Sequence, residues 1–333
     1  MNTDNILEIK DLHTSFENYG EVTNVLNGIS FEVQRGKILG IVGESGSGKS
    51  VTAFSILKLL GRQARYSGQI LLDGENILDY DEKKMTTIRG GKISMIYQDP
   101  MTSLNPVYTV GNQIMEVLKL HRKDLKTRQE LKNRAIELMD QVGISDATRR
   151  LKQYPHELSG GMRQRVVIAM ALASDPEILI ADEPTTALDV TVQAQILELI
   201  KDLTKKNNMT TILITHDLGV VINTCDQVLV MYAGRICEKA DVREVFTNPK
   251  HEYTKGLLDA VPDGSASKKL IPIEGTPVNL KAMPKGCAFC ARCNNAMKIC
   301  AMKLPEEKSF GNGHVASCFM NDAKEMEVQK DAD

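Results

Sequence analysis

Ile38-Leu39-Gly40-Ile41-Val42-Gly43-Glu44-Ser45-Gly46-Ser47-Gly48-Lys49-Ser50 is an apolar run that breaks into a glycine-rich turn and ends on a lysine and a hydroxyl. The run Ile38 to Val42 carries no polar alternation and reads as a buried strand. Gly43 to Ser50 then fit the spacing G-x-x-x-x-G-K-[ST], which marks a phosphate site when a strand precedes it and a helix follows. Glycines let the backbone curl until successive N–H groups and the start of the next helix face one anion. Lys49 supplies a point charge between β- and γ-phosphates, and Ser50 a hydroxyl for Mg²⁺.

Downstream, Ile178-Leu179-Ile180-Ala181-Asp182-Glu183 is a second apolar strand, ending in two carboxylates. A P-loop ATPase places one such acid on the magnesium shell and another near the attacking water. That assigns Asp182 to the metal side, and Glu183 to the catalytic role of orienting or deprotonating water. Between the two motifs stands Leu158-Ser159-Gly160-Gly161-Met162-Arg163-Gln164-Arg165. Ser159 and the N–H groups of Gly160 and Gly161, at a helix start, form a further anion site. It lies too far along the chain to wrap the phosphate held by its own P-loop.

With LSGG placed between a P-loop and an Asp-Glu strand end, the chain resembles an ATP-binding cassette (ABC) ATPase. The resemblance implies an α/β P-loop cassette with an inserted helical subdomain, and two cassettes packed head to tail with each ATP between one P-loop and the opposing signature. It assigns ATP contacts to Gly43, Ser45, Gly46, Gly48, Lys49, Ser50 and Val51, and to Ser159, Gly160 and Gly161. Gln98, after the strand-like Ile93 to Tyr97, matches the glutamine that approaches Mg²⁺ and water, so Ser50, Gln98 and Asp182 are the implied Mg²⁺ set. Asp189 in Ala187-Leu188-Asp189 matches the loop that crosses to the partner subunit. His216, after Thr211 to Thr215, matches the histidine that contacts the γ-phosphate. The adenine partner is Phe16, with Tyr19 second, since base stacking needs a π-face; Phe16 also reads as an edge-strand core residue.

The 333 residues are 42% apolar and 25% charged, enough for one large core and an accessory domain. A formal charge of −2 gives no global basic field for nucleic acid. No apolar run approaches the length of about 18 residues that spans a bilayer, and Met1 to Asn5 lack the basic-then-apolar order of a secretory signal. The expected organisation is a nucleotide-binding domain over 1–240, with helical patterns at about 100–165, an extension over 241–325 and a frayed charged end over 326–333. The insertion is too short for the coiled coils of chromosome-associated relatives, and only one cassette is present, unlike translation and excision-repair relatives. Tyr154-Pro155-His156-Glu157 resembles the importer form of the loop beside a membrane coupling helix.

Five of seven cysteines, Cys287, Cys290, Cys293, Cys300 and Cys318, fall in the tail. Such clustering in a cytosolic ATPase favours metal over disulfides, and the spacing leaves an iron–sulfur cluster and tetrahedral zinc both open. Cys225 and Cys237 read as isolated, buried small hydrophobes. Ile273 to Pro277, Pro284 to Phe289, Arg292-Cys293 and Gly313 to Cys318 resemble the C-terminal extension of oligopeptide and dipeptide importer ATPases. That resemblance implies a [4Fe-4S] cluster on Cys287, Cys293, Cys300 and Cys318, with Cys290 as an extra thiol. It also implies a second cassette subunit, commonly a different chain, two permease subunits, an extracytoplasmic binding protein, and a peripheral place on the cytoplasmic face of the membrane. A non-transport ABC ATPase and an importer of another cargo such as nickel are the alternatives.

Overall fold

A computed structural model describes residues 4–18, 20–99, 103–186, 188–261 and 271–322. Its contacts divide the chain into two compact units: Met1–Val33, Leu39–Leu78 and Thr215–Asp333 in the first, Gln34–Ile38 and Asp79–Ile214 in the second.

The first unit holds two sheets. One is antiparallel, in the order β2 (Glu21–Gln34), β1 (Asn5–Asn18), β4 (Ala64–Leu72), β5 (Glu75–Asn76). Its β1–β4 register runs from Leu7 opposite Leu72 to Phe16 opposite Ala64, with an irregularity between Lys10 and His13. The other sheet runs β11 (Lys308–Ser309), β12 (Val315–Ala316), β10 (Arg235–Asp241), β9 (Gln227–Tyr232), β3 (Ile38–Val42). β3 and β9 are parallel, Leu39 opposite Gln227 through Val42 opposite Val230. Ala233 (φ 49°) and Gly234 (φ 75°) turn β9 back into β10. Two consecutive left-handed residues match the right-handed twist of a hairpin, and a glycine at the second accepts that conformation at no steric cost. α1 (Lys49–Ile56), α8 (Leu218–Thr224), α9 (Val242–Thr247), α10 (Glu252–Asp259) and α11 (Lys298–Met302) belong to this unit.

The tail does not stand apart from this core. Phe289 is 4% exposed and enters the same cluster as Val230, Tyr232 and Tyr253. Its ring lies 5.4 Å from Tyr232 and 5.2 Å from Tyr253 between centroids, and those two tyrosines are 4.7 Å apart. Burial of such a ring is worth about 1.5–3 kcal/mol, and each aromatic pair about 0.5–1.5 kcal/mol more.

The second unit carries three parallel strands in the order β8 (Thr210–Thr215), β7 (Ile178–Asp182), β6 (Ile93–Ile96). Every residue of β7 and β8 is buried, as in a sheet whose two faces are both covered. Around them are α2 (Glu82–Ile88), α3 (Val110–His121), α4 (Arg128–Gln141), α5 (Ala147–Arg150), α6 (Gly160–Leu172) and α7 (Val190–Lys206). Sequence-local caps set several starts. Asp81, Thr109 and Thr127 each accept a backbone N–H of their own first turn, and Thr127 with Glu130 completes a capping box. Buried Gln113 on α3 pins the preceding loop by accepting the Asn105 N–H at 2.9 Å and donating to the Asn105 and Tyr108 carbonyls at 2.9 and 3.0 Å. Asp175 is shared by Arg122 and Arg134, tying α3 and α4 to the turn ahead of β7.

Candidate nucleotide site and cysteine-rich tail

In the first unit, the loop after β3 is held by its own residues. Lys49 is 6% exposed, and its Nζ donates to the Gly43 carbonyl at 2.7 Å and the Glu44 carbonyl at 3.0 Å. Gly43 is required by close approach: a Cβ there would stand 2.2 Å from the Met231 carbonyl oxygen and 2.7 Å from Ser47 Oγ. Ser45 and Gly46 face solvent, Gly48 is buried, and Ser50 and Val51 are half-buried in the first turn of α1. Ser47 Oγ is buried with no partner among the described residues, an orphaned polar atom of the sort a bound phosphate oxygen satisfies. Together with the N-terminus of α1, it makes the loop fit a nucleotide phosphate. Phe16 is half-buried at the end of β1, Tyr19 lies outside the described residues, and His216 is exposed directly after β8. Asp217, next in sequence, caps α8 through the Gly219 N–H at 2.7 Å.

In the second unit, Asp182 closes β7 at 3% exposure. Glu183 follows in the left-handed region (φ 46°), its N–H donating to the Ile214 carbonyl at 2.9 Å. A non-glycine residue held there stores about 1–3 kcal/mol, a strain that clusters at functional positions. Glu183 Oε2 accepts from Gln98 Nε2 and from Thr186 Oγ1, each at 3.0 Å. The structure thus brings Gln98 to Glu183, a contact the linear sequence does not state. Ser159 caps α6, accepting the Met162 N–H at 3.4 Å, with Gly160 exposed and Gly161 half-buried in the first turn. Asp189 is exposed and caps α7 through the Val192 N–H at 3.0 Å, while Ala187 lies outside the described residues.

The tail thiols lie in the first unit. Cys287 N–H donates to the Cys300 carbonyl at 2.7 Å, and Cys290 N–H to that of Cys287 at 3.1 Å. Burial pushes the Cys287 thiol up to about 11, and Cys290, Cys293 and Cys318 upward too. Thiolate sulfur suits a soft metal or an iron–sulfur group. Among the described residues, however, no three His, Cys, Asp or Glu side chains are grouped so as to hold a metal ion. The donor chemistry fits and the spacing does not close. The reading of Cys237 as isolated is corrected here. It is buried as expected, yet with Cys287 it lines one cavity of about 300 Å³, and its raised thiol feels Cys287 and Cys318, because β12 pairs beside β10. Cys225 is half-buried rather than buried.

Sequence reasoning passed over three residues that meet at the loop. Tyr253 Oη accepts the Glu44 N–H at 2.8 Å, and Arg292 pairs with the Glu44 carboxylate. Partners 209 and 248 residues apart leave no local signal in the sequence.

A P-loop on a buried strand, a carboxylate pair ending a second strand and a capped LSGG helix define an ABC ATPase. The ABC transporter family model matches residues 26–186, and the model for the oligopeptide/dipeptide transporter C-terminal region matches residues 237–300. The Bacillus subtilis oligopeptide transport ATP-binding protein OppD is 54% identical over 95% of this chain and 88% of its own. The B. subtilis dipeptide transport ATP-binding protein DppD is 47% identical over 96% of each chain. Among solved structures, the dimeric bacterial ABC transporter cassette MJ0796 superposes with a TM-score of 0.64 at 28% identity, covering 71% of this chain and 99% of that one. The chain therefore belongs to the ATP-binding proteins of the oligopeptide/dipeptide ABC transporter family.

Proposed function

We propose that this ATPase is the motor subunit of a peptide importer, acting peripherally on the cytoplasmic face of the membrane as one half of a cassette dimer. The observation that carries the reading is the union, in one chain, of a cassette and the oligopeptide/dipeptide C-terminal region. In this reading two permease subunits supply the pore, an extracytoplasmic binding protein supplies the peptide, and the partner cassette is a sister chain. Residues 1–240 form the cassette with its helical subdomain at about 100–165, and 241–325 form the extension. The importer-like turn Tyr154 to Glu157 and exposed Val107 and Tyr108 mark where the helical subdomain meets the permease.

Phe16 would stack the adenine, the loop Gly43 to Val51 would cradle the phosphates, and Ser50, Gln98 and Asp182 would hold Mg²⁺. The ion, when bound, neutralises charge on the β- and γ-phosphates. Glu183 orients a water whose oxygen attacks the γ-phosphorus in line. The bond from that phosphorus to the β–γ bridging oxygen breaks, ADP keeps the electron pair, and the water proton passes through Glu183 to solvent. His216 contacts the γ-phosphate, while Ser159, Gly160, Gly161 and Asp189 serve the site across the dimer. Hydrolysis assayed in proteoliposomes with the permease subunits should rise when a peptide-loaded binding protein is added. Co-purification with RNA or ribosomes, and no such rise, would overturn the reading.

The tail is proposed to carry a [4Fe-4S] cluster on Cys287, Cys293, Cys300 and Cys318, supported by the donor chemistry of the thiols and by the match to the oligopeptide/dipeptide C-terminal region. About four irons and four sulfides per chain after anaerobic purification are expected. One zinc without sulfide would replace the cluster by a structural clip.

A further inference from the structure

Glu44, second residue of the phosphate loop, is gripped from three sides. Lys49 takes its carbonyl, the hydroxyl of fully buried Tyr253 takes its N–H, and Arg292 takes its carboxylate. The Arg292 contact is bidentate, Nη1 to Oε2 at 2.5 Å and Nη2 to Oε1 at 2.9 Å, with the Arg292 side chain 5% exposed and that of Glu44 26%. Arg292 is itself fixed, its Nε donating to the Glu274 carbonyl at 3.0 Å and its guanidinium lying about 6 Å from the Tyr232 and Phe289 rings. It sits between Cys290 and Cys293, in the short turn Cys290–Arg292.

A carboxylate on a loop built to receive triphosphate is electrostatically adverse, because like charges brought together in a partly desolvated setting repel. A planar, permanently charged, bidentate partner cancels that charge and fixes the side chain's direction at once. We infer that Arg292 is a positioning residue for nucleotide binding, through which the cysteine-rich tail neutralises Glu44 and sets the conformation of the phosphate loop. Tyr253 completes the clamp by holding the same residue through its backbone.

The inference is tested in the assembled transporter by steady-state ATP hydrolysis. Arg292→Gln should raise KM for ATP roughly tenfold with kcat within about twofold, since the ground state is disturbed and the hydrolytic groups are not. Arg292→Lys should stay within about threefold of the parent KM. The decisive variant is the double substitution Arg292→Gln with Glu44→Gln, which removes the stranded charge and should restore most of the affinity. Metal content, measured alongside, should not change, because Arg292 supplies no thiolate. An unchanged KM in Arg292→Gln would overturn the inference. So would a raised KM that Glu44→Gln leaves untouched, since the tail would then act only by holding the fold together.

Discussion

Glu183 has what a catalytic carboxylate requires of its backbone and neighbours. It leaves a fully buried strand, turns through a left-handed conformation at φ 46°, and has one oxygen fixed by Gln98 and Thr186. Glu183→Gln keeps the shape and loses the proposed base. ATP binding should persist while turnover falls at least about a hundredfold, the scale of a general base. Normal turnover in that variant would remove Glu183 from the role. Gln98→Ala should lower steady-state turnover by about tenfold, because it removes one of the two donors to Glu183 and one of the proposed Mg²⁺ ligands. Gly43 is a case of pure geometry. A methyl group there meets the Met231 carbonyl at 2.2 Å, so Gly43→Ala should abolish nucleotide binding, which equilibrium binding of a fluorescent ATP analogue would read.

At the scale of elements, the start of α10 couples stability to pH. His251 is 3% exposed, and its Nδ1 accepts the Tyr253 N–H at 3.0 Å, so the helix is capped by a neutral imidazole. Burial pushes its pKa down to about 4, against about 6.5 in an unfolded chain. Between those values the unfolded chain binds a proton that the native one does not, so stability falls as pH drops through that window, by up to about 3 kcal/mol. His251→Asn keeps a cap acceptor without the titration. The melting midpoint should drop between pH 7 and pH 5 by more in the parent than in the variant; equal drops would place the acid sensitivity elsewhere. Elements of this kind differ in how far the sequence exposes them. β3, β7 and β8 are legible because consecutive apolar residues followed by chemistry-bearing ones have few other readings. The caps at Thr127, Ser159 and Asp189 are local, three residues from the N–H they take. Arg292 looks like a spacer between cysteines, because its partner Glu44 lies 248 residues away, a separation that no short period encodes. Cys237 looks isolated because the β10–β12 pairing and the packing of Phe289, both distant in sequence, bring the tail beside it.

For the whole molecule, the role proposed for LSGG means that one chain does not complete its own ATP site. Ser159 and the first turn of α6 present N–H groups of the kind that bind an anion, in a segment more than a hundred residues beyond the P-loop in sequence. If the phosphate they meet belongs to the partner cassette, damage at the signature and damage at the P-loop must fall on different nucleotides. Gly160→Asp puts a carboxylate where an anion is to bind, at an exposed position where a Cβ meets nothing closer than Leu188 at 3.5 Å, so the fold should tolerate it. In the assembled transporter, photolabelling of this chain by an azido-ATP should persist in Gly160→Asp, while labelling of the partner cassette and overall turnover fall by at least about tenfold. Lys49→Ala should give the reverse pattern, losing the label on this chain and sparing the partner. Loss of this chain's own label in Gly160→Asp would mean that signature and P-loop serve one nucleotide within a single chain, and the cassette dimer would no longer explain why both motifs are present.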